Sequence, residues 1–247
     1  MSELRTKGEH TEAIRRDRRV AVVVNTRSRR GRRHYFEVIE QIHNLGFEPL
    51  AELSVYNPKR LRDLLDTALA TDPDLLIVGG GDGTLSSAVR HVAHRDVALG
   101  VLPLGTTNNF ARSLGLPLDL AGAIRVFATG KVADIDLGMA DDRPFANLAS
   151  FGVSVEVAGK VKPWLKRVVG RPAYPLTALT ILPNHRPFRA YITVEGSGTS
   201  CSPTSSTSPT AASTAAGRWP ATSASTTACW WPTSSAPARS CACSARP

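Results

Sequence analysis

Leu75-Leu76-Ile77-Val78-Gly79-Gly80-Gly81-Asp82-Gly83-Thr84-Leu85 is the stretch whose reading decides the fold. Residues 75–78 form an apolar run as short as a strand buried on both faces, and the run passes directly into glycines. Leu85, Ala88, Val89 and Val92 then recur at helical spacing. Strand, glycine turn and amphipathic helix make one βα unit. In open α/β sheets, ligands bind at the edge where such a turn lies.

The same alternation extends both ways. Upstream, residues 20–24 are apolar and mostly β-branched, and the polar loop Asn25-Thr26-Arg27-Ser28-Arg29-Arg30-Gly31 follows. Tyr35, Val38, Ile39, Ile42 and Leu45 keep helical spacing up to Gly46, a residue suited to the left-handed position after a helix. Residues 47–55 read as a second strand. Asn57-Pro58 is a cap followed by a first-turn proline, opening a helix with Leu61, Leu64, Leu65, Ala68 and Leu69 on one face. Downstream, residues 97–102 are another buried strand, and Asp119 caps a helix carrying Leu120, Ala123, Ile124 and Phe127 that closes at Gly130. Strand and helix alternating from 20 to 130 predict an α/β fold with a doubly wound parallel sheet.

Beyond Gly130 the rhythm changes. Residues 132–140, the turn Asp141-Asp142-Arg143-Pro144 and residues 145–151 predict a β-hairpin, and strand-like text returns over 188–195. This is the start of a second, β-rich domain over 131–199, incomplete as it stands. Between its strands, residues 164–182 are apolar enough for a helix but are interrupted by Pro172, Pro175 and several cations, which disfavours a membrane span.

From residue 200 onward the chain uses only Ala, Ser, Thr, Pro, Gly, Arg, Cys and Trp. Without aliphatic side chains such a tail has too little surface to bury against its ordering entropy, so 200–247 is expected to be disordered. A Ser/Thr/Pro-rich linker is one reading, and a reading-frame shift in G/C-rich coding DNA is the other. Back-translated with G/C-rich codons and read in a shifted frame, residues 221–233 become Asp-Val-Ser-Ile-Asp-Asp-Gly-Leu-Leu-Val-Ala-Tyr, turn-and-strand text.

The formal charge of +9 invites a nucleic-acid partner, but its distribution argues against one. Residues 1–33 hold 11 Lys/Arg against 4 Asp/Glu, or +7, and residues 200–247 hold 3 Arg and no acid, or +3. The remaining 16 basic and 17 acidic residues give 34–199 a net of −1. No RNA- or DNA-binding motif accompanies the charge. Residues 1–19 therefore read as a basic flexible N-terminus, in which Arg15-Arg16-Asp17-Arg18-Arg19 is either solvated or drawn to an anionic membrane surface. Neither a stretch of roughly 18 apolar residues nor the apolar core of a signal peptide is present. All four cysteines lie in the tail, so nothing suggests a disulfide framework or a metal site in the body. A cytoplasmic location is expected, with peripheral contact at the inner membrane face.

The glycines of the opening stretch let backbone N–H groups approach a phosphate without Cβ interference, and the following helix points its positive end at the same place. Asp82 is a candidate for holding a ribose, a Mg²⁺ ion or a water bound to it; Thr84 can cap the helix or bond a phosphate oxygen. The competing reading is a tight strand-to-helix turn with no ligand.

Gly80-Gly81-Asp82-Gly83-Thr84 resembles a motif shared by NAD kinases, phosphofructokinases and the diacylglycerol and sphingosine lipid kinases. What separates these groups is the text after the next strand. Here it is Leu102-Pro103-Leu104-Gly105-Thr106-Thr107-Asn108-Asn109-Phe110-Ala111-Arg112, which looks like the lipid-kinase loop and disfavours NAD phosphorylation. The loop from Asn25 through Ser28 to Gly31 and the run Asp134-Ile135-Asp136-Leu137-Gly138 are similar to lipid kinases as well. The resemblance covers roughly residues 20–199 and implies a NAD kinase/diacylglycerol kinase-like fold and transfer of the ATP γ-phosphate to a lipid hydroxyl, diacylglycerol being the expected acceptor class. It implies ATP and Mg²⁺ as cofactors and a lipid substrate met at the membrane surface. By the same resemblance Gly79, Gly80, Gly81, Asp82, Gly83, Thr84, Thr106 and Asn108 belong to the nucleotide site, with Asn25 and Ser28 shaping its cleft. Ser54 falls near a family position that bonds the nucleotide through a Thr. Leu104, Phe110 and Phe151 read as core rather than lipid contacts.

Three departures stand out. The family's Pro after Asn25 is Thr26, and its Asp after Asn108 is Asn109, which deletes a carboxylate. The family's metal-site segment and catalytic acid come late in the β domain, whereas this chain has no Asp or Glu after Glu195. The catalytic residue is accordingly unassigned, and a nucleotide-binding pseudo-kinase without turnover is the rival expectation.

Overall fold

The computed structural model describes residues 5–140, 143–146, 159–161, 177 and 180, and the backbone of 190–194, 197–201 and 225–231. The chain divides into two compact units, one of residues 1–147 with 221–247 and one of residues 148–220.

In the first unit β1 (Arg19–Val24), β2 (Glu48–Ser54), β3 (Leu75–Gly80) and β4 (Ala98–Pro103) form a parallel sheet. Between them run α2 (Arg29–Asn44), a single 3-10 turn (Pro58–Arg60) leading into α3 (Leu61–Leu69), and α4 (Asp82–Val92). After β4 come α5 (Asn109–Ser113), α6 (Leu120–Thr129), β5 (Lys131–Ala140) and β6 (Arg143–Phe145). The sheet order is β2-β1-β3-β4-β9-β5-β6, where β9 is Ser225–Trp231. The expected α/β, doubly wound class holds.

The winding follows from strand alternation. Ala21, Val23, Leu76, Val78, Leu99 and Val101 face one side, against Leu61, Leu65 and Ala68 of α3 and Leu85, Ala88, Val89 and Val92 of α4. Val20, Val22, Val24, Leu75, Ile77, Ala98 and Leu102 face the other, against Val38 and Ile42 of α2 and Ala123, Ile124 and Phe127 of α6. β1, β3 and β4 are buried almost throughout, which is why they read as continuous apolar runs. The helix ends follow their caps. Ser28 Oγ accepts from the Gly31 amide, Asp119 Oδ1 accepts from the Gly122 amide, and Gly46 takes φ +79° after α2.

The N-terminus departs from the flexible segment expected. Lys7–Asp17 is a helix, α1, opened by a capping box in which Thr6 accepts from the Glu9 amide and Glu9 accepts from the Thr6 amide. Ile14 is fully buried in the core beneath β1 and α2. Arg5 bonds Asp74 at 2.6 Å and Asp96 at 2.7 Å, and His10 Nε2 lies 2.8 Å from Asp96, so Arg5 and His10 clamp α1 to the carboxylates that precede β3 and β4.

Two further expectations are corrected. β5 and β6 belong to the first unit, so the boundary falls after 147 rather than after 130. β5 buries Val132 toward one core and Leu137 toward the other, as an interior strand must. The partner it needs is β9, which runs antiparallel to β5 from Lys131↔Trp231 to Leu137↔Ser225 and parallel to β4 at Leu99↔Cys229. Residues 225–231 are thus a strand, not part of a structureless tail; backbone pairing on both sides supplies what aliphatic burial does not. In the second unit Ala190–Val194 (β7) pairs antiparallel with Ser197–Cys201 (β8). Strand text expected near 188–195 is met there. Phe151 and nearly all of the helix expected over 164–182 lie outside the described residues.

Candidate functional site

Strand register builds the site. Val24 stands beside Gly79, and Gly80 beside Pro103, so β1, β3 and β4 end at one level. The loops beginning at Asn25, Gly81 and Leu104 therefore converge on one edge of the sheet.

The two inner loops touch through glycines. A Cβ on Gly105 would lie 2.4 Å from the Gly81 Cα, and one on Gly81 would lie 3.2 Å from the Gly105 Cα. Gly81 has φ −96°, open to any residue, so close approach rather than backbone strain explains it. Gly79 and Gly80 are buried inside β3. A Cβ on Gly80 would meet Thr84 within 2.6 Å, and one on Gly79 would press on Leu104 and Val24. Their task is packing. Gly83 is the opposite case: exposed, with nothing within 4 Å of an added Cβ. Asp82 and Gly83 open α4, so their amides have no acceptor within that helix and lie at its positive end.

Side chains stitch the loops together. Asn25 donates its amide N–H to the Gly79 carbonyl at 2.7 Å and its Nδ2 to Thr84 Oγ1 at 2.9 Å. Ser28 Oγ donates to the Asn25 carbonyl at 3.1 Å while capping α2. Asp82 Oδ1 accepts from the Phe110 amide at 2.9 Å, tying α4 to α5. Asn108, buried in the left-handed conformation (φ 50°, ψ 47°), accepts from the Gly105 amide at 2.9 Å and donates to the Pro103 and Gly105 carbonyls.

The residues named from the sequence thus sort into two groups. Gly81, Asp82, Gly83 and the exposed Thr106 line the open edge, and the exposed Ser54 ends β2 nearby, where Val55 bonds the Val24 carbonyl. Asn25, Ser28, Gly79, Gly80, Thr84 and Asn108 hold that edge in shape. The inward role of Asn108 was missed in the sequence, although Asn tolerates the left-handed region better than most residues and the tight Leu104–Asn108 loop called for one. Leu104 and Phe110 are core, as expected.

Among the described residues no three His, Cys, Asp or Glu side chains gather to hold a metal ion. The free amides and open space at Gly83 fit an oxyanion, and one Asp82 oxygen beyond the Phe110 bond is the only carboxylate in the described glycine turn.

The family model for the diacylglycerol kinase catalytic domain matches residues 19–140. A diacylglycerol kinase of Staphylococcus epidermidis is 39% identical over 137 residues, which cover 53% of this chain and 43% of that one. One of Bacillus subtilis is 32% identical over 184 residues, covering 72% of this chain and 60% of that one. The crystal structure of a diacylglycerol kinase from Bacillus anthracis matches with a TM-score of 0.58 at 23% identity, over 74% of this chain and 61% of that one, a likeness of fold. The chain spans 43% of the first of these curated relatives and 60% of the second.

Proposed function

Because residues 19–140 match the family model for the diacylglycerol kinase catalytic domain, we propose that this chain binds ATP at the Gly81–Gly83 edge and serves transfer of its γ-phosphoryl group to a lipid hydroxyl of the diacylglycerol class. The observation that carries this reading is the approach of Gly81 to Gly105 beside the open Gly83, which clears backbone amides for phosphate. The amides of Asp82 and Gly83 and the hydroxyl of Thr106 would hold phosphate oxygens, with Asn25 and Thr84 keeping the turn in position. ATP supplies the phosphoryl group and Mg²⁺ neutralises its charge when bound; Asp82 is the carboxylate placed to meet a hydrated ion.

In the transfer, the acceptor oxygen bonds to the γ-phosphorus as the bond to the β–γ bridging oxygen breaks, and the hydroxyl proton passes to a base. The described glycine edge offers no spare carboxylate for that base, and the chain has no Asp or Glu after Glu195. That composition favours, as a second reading, nucleotide binding without turnover in the chain as written.

Two measurements test the pair. Calorimetry with ATP·Mg²⁺ should show Gly81→Val losing affinity, because the side chain meets Gly105; equal affinity sinks the site. Labelled phosphate transfer to diacylglycerol should be weak in this chain and return when the reading frame is restored upstream of residue 200. Equal turnover by both would remove the frame argument.

A further inference from the structure

One residue joins α1 to the rest of the chain. The helix ends at Asp17 and β1 begins at Arg19, so Arg18 alone turns the backbone between them. It does so at φ 51° and ψ 26°, in the left-handed region, which is costly for most residues other than glycine. Its side chain is fastened on the far side of the turn, where the guanidinium donates to the Leu45 carbonyl and lies over the Phe47 ring. A strained single-residue hinge thus stands at the foot of a core strand. Relaxed to the extended backbone of β1, it would let α1 swing away as one piece.

What holds α1 down is a slot built from distant parts of the chain. Arg5 meets Asp74 and Asp96, His10 meets Asp96, and Lys7 lies 3.0 Å from Asp134. Thr11 Oγ1 accepts from the Val132 amide, and Arg15 donates to the Gly130 carbonyl. Ile14 packs into the cluster that holds Val20, Phe127 and Val132. An emptied slot would leave three carboxylates without their cations around a bared apolar socket. Asp74 is itself buried, and its Oδ2 finds no partner among the described residues even with Arg5 in place, so the need for a cation there is acute. The slot selects a helix with cations at its start and an isoleucine on its inner face. Apart from the turn at Arg18, nothing in that selection depends on which copy of the chain supplies the helix.

We propose that α1 is exchanged between two copies of this chain, each seating its helix in the slot of the other. A second copy is the partner this surface fits, because α1 matches the slot in charge, in hydrogen bonding and in its buried isoleucine. Extension at Arg18 also relieves the left-handed turn in both copies. The closed monomer keeps that turn but avoids the loss of translational freedom, so the balance shifts with concentration. α1 lies outside residues 19–140, which the family model matches, and the slot lies at the ends of β3 and β4 opposite the glycine turn. The exchange therefore neither uses nor needs nucleotide.

The test is sedimentation velocity of the full chain over a series of concentrations. Arg18→Gly accepts the closed turn freely and Arg18→Val resists it, while both lose the same side-chain contacts. The left-handed turn disfavours a residue with a side chain about ten-fold, and a symmetric exchange opens two such turns. The Arg18→Val dimer should therefore dissociate at a concentration about a hundred-fold lower than the Arg18→Gly dimer. Two further variants ask whether the helix is what is exchanged. Asp96→Lys spoils the slot and leaves α1 intact, and Arg5→Glu spoils the helix and leaves the slot intact. Each alone should be a monomer. Their equimolar mixture should form a one-to-one dimer, because the intact helix meets an intact slot only in the other chain. Should Asp96→Lys fail to fold, the Arg18 pair still decides. A monomer at every concentration for Arg18→Val, or a dimer that Asp96→Lys and Arg5→Glu each retain alone, would overturn the proposal.

Discussion

The Asp82 carboxylate accepts a hydrogen bond from the backbone N–H of Phe110 across 2.9 Å. It ties the first turn of α4 to the first turn of α5, so the loops after β3 and β4 form one piece. Phe110 is itself buried against the α3–α4 core, which anchors the carboxylate.

Asp82→Ala should therefore cost stability as well as ATP·Mg²⁺ affinity, with a stability loss of about 1–2 kcal/mol for a lost helix-terminal acceptor. Asp82→Asn retains an oxygen for the Phe110 amide and should fold almost as well while still binding ATP·Mg²⁺ less tightly. Melting curves and calorimetry on the two variants check this. If Asn restores affinity along with stability, the charge is not used by the nucleotide.

The glycines separate packing from binding in the same way. Gly105→Ala places a methyl group 2.4 Å from the Gly81 Cα and 2.6 Å from Asn108 Oδ1, so it should destabilise by about 1–3 kcal/mol. Gly83→Ala meets no protein atom within 4 Å and removes a helical glycine, so it should stabilise by up to about 1 kcal/mol. ATP affinity should nonetheless fall about ten-fold, about 1.4 kcal/mol, if phosphate occupies that space. Unchanged affinity in a stabilised Gly83→Ala would place the nucleotide elsewhere.

Acid should release α1 in stages. Burial, reinforced by the neighbouring Arg5 charge, pushes the His10 pKa below its ordinary value despite the Asp96 contact. The unfolded chain thus takes the proton first, and stability held by neutral His10 drains as pH falls from the usual histidine value toward its folded one. For Asp96, burial would raise the pKa, but side-chain and backbone hydrogen bonds from Arg5 hold it below the carboxylate norm. Its contribution is present above that norm and is lost at still lower pH. Hydrogen exchange across Lys7–Asp17 should accelerate in the histidine range, and His10→Gln should flatten that first stage. Constant protection through the histidine range would show that His10 does not govern the clamp.

Strand β9 yields a prediction about the late chain. Thr227 pairs with Ile135 inside a strand that has a neighbour on either side. Thr227→Pro removes one amide from that ladder and should cost about 1–3 kcal/mol, seen as faster exchange over Lys131–Ala140. Immediate exchange of Ser225–Trp231 in the parent would mean that the strand does not persist.

What the residues settled by themselves were the elements whose side chains carry the order. Leu75-Leu76-Ile77-Val78 running into glycines, the helical spacing from Tyr35 to Leu45 and the Asp119 cap announce strand, helix and boundary, because burial and capping act within a few residues of chain. The motif at Gly80–Thr84 likewise placed the candidate site. Only the folded chain decided how that motif divides, with Gly80 and Thr84 packed against each other and Gly83 left open. The N-terminal helix escaped notice because Ile14 is its one fully buried aliphatic side chain, and ion pairs with distant Asp74 and Asp96 do the rest. Strand β9 escaped for a stronger reason. Ser225-Thr226-Thr227-Ala228-Cys229-Trp230-Trp231 has no aliphatic alternation to read, and its partners Leu99 and Lys131–Leu137 lie far back in the chain. Backbone hydrogen bonds place it, and those are the same for every residue type, so local sequence cannot announce them.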